Sequence, residues 1–409
     1  MSRIAVIGSG IAGLGCAYRL QGSHEVTVFE RDVRIGGHTH TVTTPDGARV
    51  DTGFIVHNRA NYPTLVALLE ELGVATGPSD MSFACQGPDF TWSSRGLNGV
   101  FAQRRNAVNP AFWRFLGEVA RFNAWGRRAA ESLPDSDTLD EALDREGFSA
   151  TFRHNYLYPM AGAVWSTPVE AMGGFPALTL LTFFRNHGML GLTTQHPWRT
   201  IPGGTDRYLV PITRPFRDRI HTGARLRSVT RDPGGACLKL DGDQALRFDE
   251  VVFACHGDQV LPMLADATLQ EREILGAFRY RPNLTVLHQD ASVLPRRRRA
   301  WASWNTRAGS SLLTYHMNRL QPLGQAEDWF VSLHPEGRVD PSRIAVRLDY
   351  EHPAYDAATV ATQARWREIS GRNHTHFCGA YWGYGFHEDG LRSGYRVAEH
   401  LLSGSPLAP

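Results

Sequence analysis

Three glycines and one carboxylate near the start of this chain are spaced to hold a dinucleotide. Gly8, Gly10 and Gly13 follow the apolar, β-branched run Ile4–Ile7, and Glu30 closes a second such run, Val26–Phe29. Gly8 permits a tight turn, Gly10 lets a pyrophosphate approach the backbone, and Gly13 lets a helix pack closely on its strand. A helix opening at Ile11 and Ala12 offers N–H groups and a positive dipole end to a phosphate. Glu30, about twenty residues past the turn, can accept hydrogen bonds from ribose hydroxyls, with Arg31 beside it. The elements needed to position these groups are strand, turn, helix and strand, in that order. The first thirty residues supply them. A glycine-rich turn in an ordinary βαβ unit would leave Glu30 without a task.

A second set of residues can move protons. His57, His288, His316 and His387 carry imidazoles that titrate near neutral pH when unshifted, and Tyr315 adds a phenol. The candidate catalytic residues are His387, His57, His288 and Tyr315.

The chain has 409 residues, enough for two or three domains with a sizeable core. Its 42% hydrophobic and 21% charged residues are those of a soluble globular protein, and a formal charge of +2 argues for no acidic partner and no nucleic acid. Lys239 is the only lysine, so chemistry needing an amine has one candidate. The five cysteines are odd in number and show no CxxC pair, which suits reduced cytosolic thiols and neither a disulfide framework nor a metal site. The first strand begins at once, which leaves no room for a signal peptide, and no apolar run reaches 18 residues. The expected location is cytoplasmic, with peripheral contact to the inner membrane face. The run Arg296–Arg299 reads as a solvated loop.

Beyond Glu30 come Arg34-Ile-Gly36-Gly37-His38-Thr39-His40 and Val50-Asp51-Thr52-Gly53-Phe54-Ile55. With Glu30 they resemble the FAD-binding region of the flavin-containing amine oxidase superfamily, which includes monoamine oxidases, protoporphyrinogen oxidases and phytoene-type desaturases. The stretch Ile201–Leu209 resembles that superfamily's return to the cofactor domain. The closing stretch, with Gly379, Gly385, Phe386, His387, Glu388 and Asp389, resembles its last FAD segment. The resemblance implies an α/β protein: a discontinuous, glutathione-reductase-like Rossmann-type FAD domain (1–80, 199–259 and 375–409) and an α+β substrate domain (81–198 and 260–374). It also implies a helix near Glu388 aimed at the flavin's N1 and O2. No second dinucleotide fingerprint is present, and Cys378 lies in the final strand, so non-covalent FAD is expected, with O2 or an electron carrier as acceptor.

Two departures from the superfamily weigh against amine oxidation. Lys239 falls in a predicted hairpin, Ala236–Leu240 and Ala245–Phe248 about the turn Asp241–Asp243, and His38 stands where arginine is usual after the glycine pair. The stretches Trp198–Thr200, Asn283–Asp290, Trp301–Asn305, Thr314–Asn318 and Gly385–Gly390 resemble a bacterial branch of flavoproteins associated with enzymes that modify unsaturated acyl chains. That resemblance implies desaturation or isomerisation of a lipid acyl chain, an allylic hydrogen leaving as hydride to flavin N5 while a base takes a neighbouring proton. An FAD oxidase of a soluble amine or other small metabolite is the alternative, and a flavin-binding partner protein without turnover is a third reading.

Two further stretches bear on the substrate side. Residues 104–128 carry six arginines (104, 105, 114, 121, 127, 128), with Phe112, Phe115, Leu116, Val119 and Phe122 on one helical face. Such a helix lies in the interface of an anionic membrane or packs on its own core. The apolar run Phe175–Phe184, with Met189–Leu192, lines a hydrocarbon pocket or forms an ordinary core helix.

Overall fold

The computed structural model describes residues 1–191, 195–242, 244–324, 327–335 and 337–404. The first half of the chain forms β1 (Arg3–Ile7), α1 (Ile11–Leu20), β2 (Glu25–Phe29), α2 (Pro63–Glu71), β3 (Phe83–Gln86), β4 (Thr91–Ser93), α3 (Gly96–Val100), α4 (Pro110–Ala129) and α5 (Ala177–Asn186). The second half adds β5 (Ile220–His221), β6 (Glu250–Phe253), β7 (Arg279–His288), β8 (Trp304–Arg307), β9 (Leu313–His316), β10 (Phe330–Leu333), β11 (Ile344–Ala354), β12 (Thr375–Phe377) and α6 (His387–Ser403). Shorter elements are given by residue range.

The β-branched runs at residues 4–7 and 26–29 become neighbouring central strands of a parallel sheet ordered β5-β2-β1-β6-β12. Parallel strands are covered on both faces, so they need near-continuous apolar sequence. Ile4, Ala5, Val6, Val251, Val252 and Phe253 are fully buried accordingly. Helix α6 lies along α1, where Gly394 allows the approach: a Cβ there would sit 2.2 Å from Ala12 O. The sheet thus draws on residues 3–29, 220–253 and 375–377. The expected hairpin forms at Gly235–Leu240 and Ala245–Phe248 and gains a third strand, Leu226–Asp232. Asp243 of its turn lies outside the described residues.

A second, seven-stranded sheet runs β11-β7-β10-β9-β8-β3-β4. Its pairs are antiparallel except β8 with β3. Helices α4 and α5 share one core with its inner face. Asn109 caps α4 by accepting from Ala111 N, and Pro110 occupies the first turn, where its missing N–H costs nothing.

Of the two settings expected for the helix within 104–128, the structure shows packing on its own core. Phe112, Phe115 and Phe122 are buried against Phe90, Phe148 and Phe152, so the apolar stripe of α4 is core. Arg121 donates to Glu146 O and Gly147 O, and Arg127 donates to Leu190 O. Phe175–Phe184 is also core at Leu180, Leu181 and Phe184, while Phe183 and Met189 turn toward the cavity described next. Leu192 lies outside the described residues. No helix among the described residues is long and apolar enough to cross a membrane.

Candidate active site

A cavity of ≈ 760 Å³ opens between the two sheets. One wall is the carboxyl edge of the parallel sheet: Ile7 and Gly8 after β1, Glu30 after β2, Ala254 to His256 after β6, and Gly379 to Tyr381 after β12. Open α/β sheets bind ligands at this edge, where helix N-termini converge. The opposite wall comes from Phe83, Trp304 and Tyr315 on the larger sheet and from Met160, Trp165 and Phe183 in the helices.

The first turn is shaped as the glycine spacing requires. Gly8 sits at φ +106°, and a Cβ on Gly13 would lie 2.0 Å from Gly8 O. A Cβ on Gly10 would meet nothing within 4 Å, so this glycine faces open space in the cavity wall. Glu30 closes the turn: its Oε2 accepts from Ser9 N at 2.9 Å and Ser9 Oγ at 2.6 Å, and its Oε1 accepts from Asp32 N at 3.0 Å. Gly37 brings the second glycine pair against the first turn, a Cβ there standing 3.2 Å from Gly10 Cα.

Most of the residues expected to bind cofactor border this cavity. They are Gly8, Gly10, Ile11, Ala12, Glu30, Arg31, Gly37, His38, Gly53, Phe54 and Ile55, with Gly379, Gly385, Phe386 and His387 from the closing segment. Gly13 and Gly36 lie behind it as packing positions, against Gly8 O and the Leu209 side chain respectively. Thr39, Glu388 and Asp389 are also turned away. Thr39 bonds Tyr208 and His387. Glu388 accepts from Thr64 N and Leu65 N, both at 3.0 Å, which caps the buried start of α2. Asp389 accepts from Phe386 N and so caps its own helix, and burial raises its carboxyl to about 6.

The proton-handling set separates in space. His288 is a correction: it lies on β7 away from the cavity, with Nε2 on Ser332 Oγ and Nδ1 accepting from Asp290 N. Both nitrogens are used, and burial holds its pKa down near 4. His316 is tied to Asp328. His57 is likewise buried outside the cavity, with neither nitrogen partnered in the protein. His387 borders the cavity, but its ring stacks 3.8 Å from Phe54 and its Nε2 lies 2.9 Å from Thr39 Oγ1. Burial lowers it to about 3, which makes it a weak base. Tyr315 also stands in the wall, its phenol held neutral because burial raises its pKa.

No sequence pattern announced the group that surrounds His38. Its ring lies 5.1 Å from His352, 5.1 Å from Tyr350 and 6.2 Å from His256. His256 stacks on Tyr280 at 4.2 Å, with Glu351 3.6 Å from its Nδ1. Desolvation lowers His38 to about 4 and His256 to about 3. His38 Nε2 and Asp258 Oδ1 are buried on this wall without a protein partner. His352 arrives on β11 through a long antiparallel pairing with β7, and no local pattern announces that register.

A family model described as flavin containing amine oxidoreductase matches residues 11–288. The chain belongs to this family. The family's cofactor is FAD, and the protein is an FAD-dependent oxidoreductase. The wall described above fits that cofactor: an open glycine face at a helix N-terminus, a carboxylate at the end of β2, and buried polar atoms left for a ligand to satisfy. Over 73 residues the chain is 40% identical to protoporphyrinogen oxidase 2 (chloroplastic/mitochondrial) of Arabidopsis thaliana, a match spanning 18% of this chain and 14% of the plant protein. Its fold is similar to that of cyclohexylamine oxidase from Brevibacterium oxydans, at TM-score 0.72 and 16% identity over 98% of this chain and 99% of the other. A CLA-producing fatty acid isomerase from P. acnes is similar at TM-score 0.67 and 15% identity, over 98% of both chains.

Proposed function

We propose that this FAD-dependent oxidoreductase acts on an unsaturated acyl chain of a lipid, desaturating or isomerising it. One observation carries the reading: among the described residues the substrate side of the cavity has no charge. Around Met81, Phe83, Met160, Val164, Trp165, Met189, Trp304, Tyr315 and Leu320 no described lysine, arginine or carboxylate lines the wall. Burying an ammonium there unpaired would be costly, whereas a hydrocarbon gains about 0.8 kcal/mol per buried CH₂. Methionines suit a flexible chain because their own side chains repack easily. The acids on the cavity surface (Glu30, Asp32, Asp258, Glu351) cluster instead with the glycine turn, His256 and Arg31. Lys239 lies on the exposed hairpin and takes no part.

Bound FAD supplies a two-electron acceptor. The chain's own contribution is to bury the acyl segment, exclude water with Trp165, Phe183 and Trp304, and present the neutral Tyr315 hydroxyl as a hydrogen-bonding group. Desaturation would need O2 or an electron carrier as the final two-electron acceptor, whereas isomerisation would return the hydride to the chain and need none.

The aromatic set Phe183, His187, Trp198 and Phe386 favours a second reading, because stacked rings can hold a neutral amine. Anaerobic titration separates the two. Flavin absorbance should bleach with monounsaturated fatty acids or phospholipids and stay unchanged with monoamines and polyamines. Bleaching by amines alone overturns the acyl reading, and bleaching by neither class, with the double bonds of the recovered lipid also unmoved, points to a flavin-binding protein without turnover.

A further inference from the structure

The cavity does not use one surface that combines exposed apolar side chains with arginine. Leu97 on α3 is 78% exposed, Val108 at the end of the 104–108 turn 84%, and Trp113 in the first turns of α4 53%. They belong to one continuous patch. Trp113 packs on Phe101 at 5.6 Å and donates to Ala107 O, while Arg104 reaches back to Phe101 O and to Asn98 Oδ1. The loop carrying Arg296–Arg299 joins the patch, because its 298–300 turn packs against α3 and Arg95 donates to Trp301 O.

Positive charge dominates this patch, with Asp80 against Arg95 and Asp328 near Arg298. Arg104, Arg105, Arg114, Arg296, Arg297 and Arg299 are exposed, and none has a carboxylate within ion-pair distance among the described residues. Arg298 reaches Asp328 only at 3.9 Å and lies over the Trp301 ring. Self-repulsion among these arginines is tolerable when a polyanion faces them. The protruding apolar groups decide which polyanion. Trp113 offers one ring for a base, but the more exposed Leu97 and Val108 offer none, whereas nucleic-acid surfaces interleave arginine with several aromatics. Aliphatic side chains and a tryptophan ringed by arginine match the depth profile of a bilayer interface, with apolar tips below the headgroups and guanidinium groups at the phosphates.

We propose that α3, the 104–108 turn, the first turns of α4 and the 296–299 loop form a docking surface for an anionic phospholipid bilayer. It differs from a membrane-lying α4: the arginines at 121 and 127 are used internally, and the loop at 296–299 replaces them. The surface adjoins the substrate side of the cavity. Trp301 lies two residues before Ser303, which bonds the cavity-lining Ser82 through both N–H and hydroxyl. A docked molecule would therefore hold its apolar cavity close to the acyl layer, which deepens the acyl reading without depending on it.

Vesicle flotation of the FAD-loaded full chain tests this. The wild type should float with phosphatidylcholine vesicles containing one third phosphatidylglycerol, stay down with pure phosphatidylcholine, and lose binding as salt rises. Each arginine near the surface contributes about fivefold in partitioning, so R104Q/R105Q/R114Q should lose roughly a hundredfold. Leu97→Ser with Val108→Ser should lose about tenfold on the same vesicles while unfolding at the wild-type temperature, since both side chains are already in solvent. Failure of the wild type to float, equal flotation of the triple variant, or tight binding of a single-stranded oligonucleotide without vesicle binding would each overturn the proposal. Flotation needs no turnover, and flavin bleaching by a detergent-solubilised fatty acid needs no vesicle, so the docking surface and the acyl reading fail separately.

Discussion

Replacing Gly10 by alanine should separate folding from cofactor binding. Gly10 is the residue before α1, with φ −68° and ψ 178°, a conformation any residue adopts. Its Cβ would meet no protein atom within 4 Å, so alanine brings no overlap. Two small effects on stability oppose each other. Alanine reduces the freedom of the unfolded chain, a gain of about 0.4–1 kcal/mol. As a helix N-cap, alanine is worse than glycine by about 0.5–1 kcal/mol. The difference leaves the FAD-free protein within about 0.5 kcal/mol of wild type. The added methyl does, however, project into the cavity where the backbone must approach the ligand. With wild-type FAD at a hundredfold excess over Kd, ligand linkage stabilises the fold by about 2.7 kcal/mol, and most of that should vanish in the variant. The assay is paired urea or thermal unfolding with and without FAD, together with quenching of free FAD fluorescence. The reasoning is refuted if the FAD-free variant is clearly destabilised, or if it binds FAD as tightly as wild type.

Gly13→Ala should behave in the opposite way, losing about 1–3 kcal/mol even without FAD, because its Cβ would lie 2.0 Å from Gly8 O; urea midpoints of the FAD-free protein check this. Glu388→Ala strips two backbone donors at the start of α2 of their buried carboxylate and should cost about 2–3 kcal/mol, seen as a lower urea midpoint at unchanged slope. Lys239→Gln should leave the rate of substrate-driven flavin bleaching unchanged; a large loss would place the only lysine in the chemistry. Stability should fall below neutral pH. His38, His57, His187 and His288 are held near 4 in the folded protein, chiefly by burial, against an ordinary value of 6.5, so their contribution is complete above pH 6.5 and lost as pH drops toward 4. Asp51, raised by burial to about 7, works in the other direction, its stabilising protonated form being lost as pH rises through 7. Asp389, raised to about 6, acts as Asp51 does, but the four histidines, joined by His40 near 4, outnumber the two aspartates, and a melting temperature that stays flat between pH 7 and 4 would contradict this balance.

Short-range order decided what could be read from the sequence. The strand–turn–helix–strand unit at residues 3–30 is local in chain and in space, so the residues dictate it directly: β-branched runs bury as parallel strands, Gly8 takes φ +106°, and Glu30 falls at the strand's end beside Ser9. The closing helix was legible for the same reason. The amphipathic pattern of α4 revealed a buried face but not what covers it, and that covering turned out to be Phe90, Phe148 and Phe152. Roles that depend on where a side chain points after the sheets assemble were not legible. His387 and Glu388 stand one residue apart at a helix start, yet one borders the cavity and the other caps α2, because successive helical residues point about 100° apart. His38, His256 and His352 meet only when β6 and β11 register against the glycine turns across more than 300 residues of chain, a contact set by sheet pairing that no local residue pattern encodes.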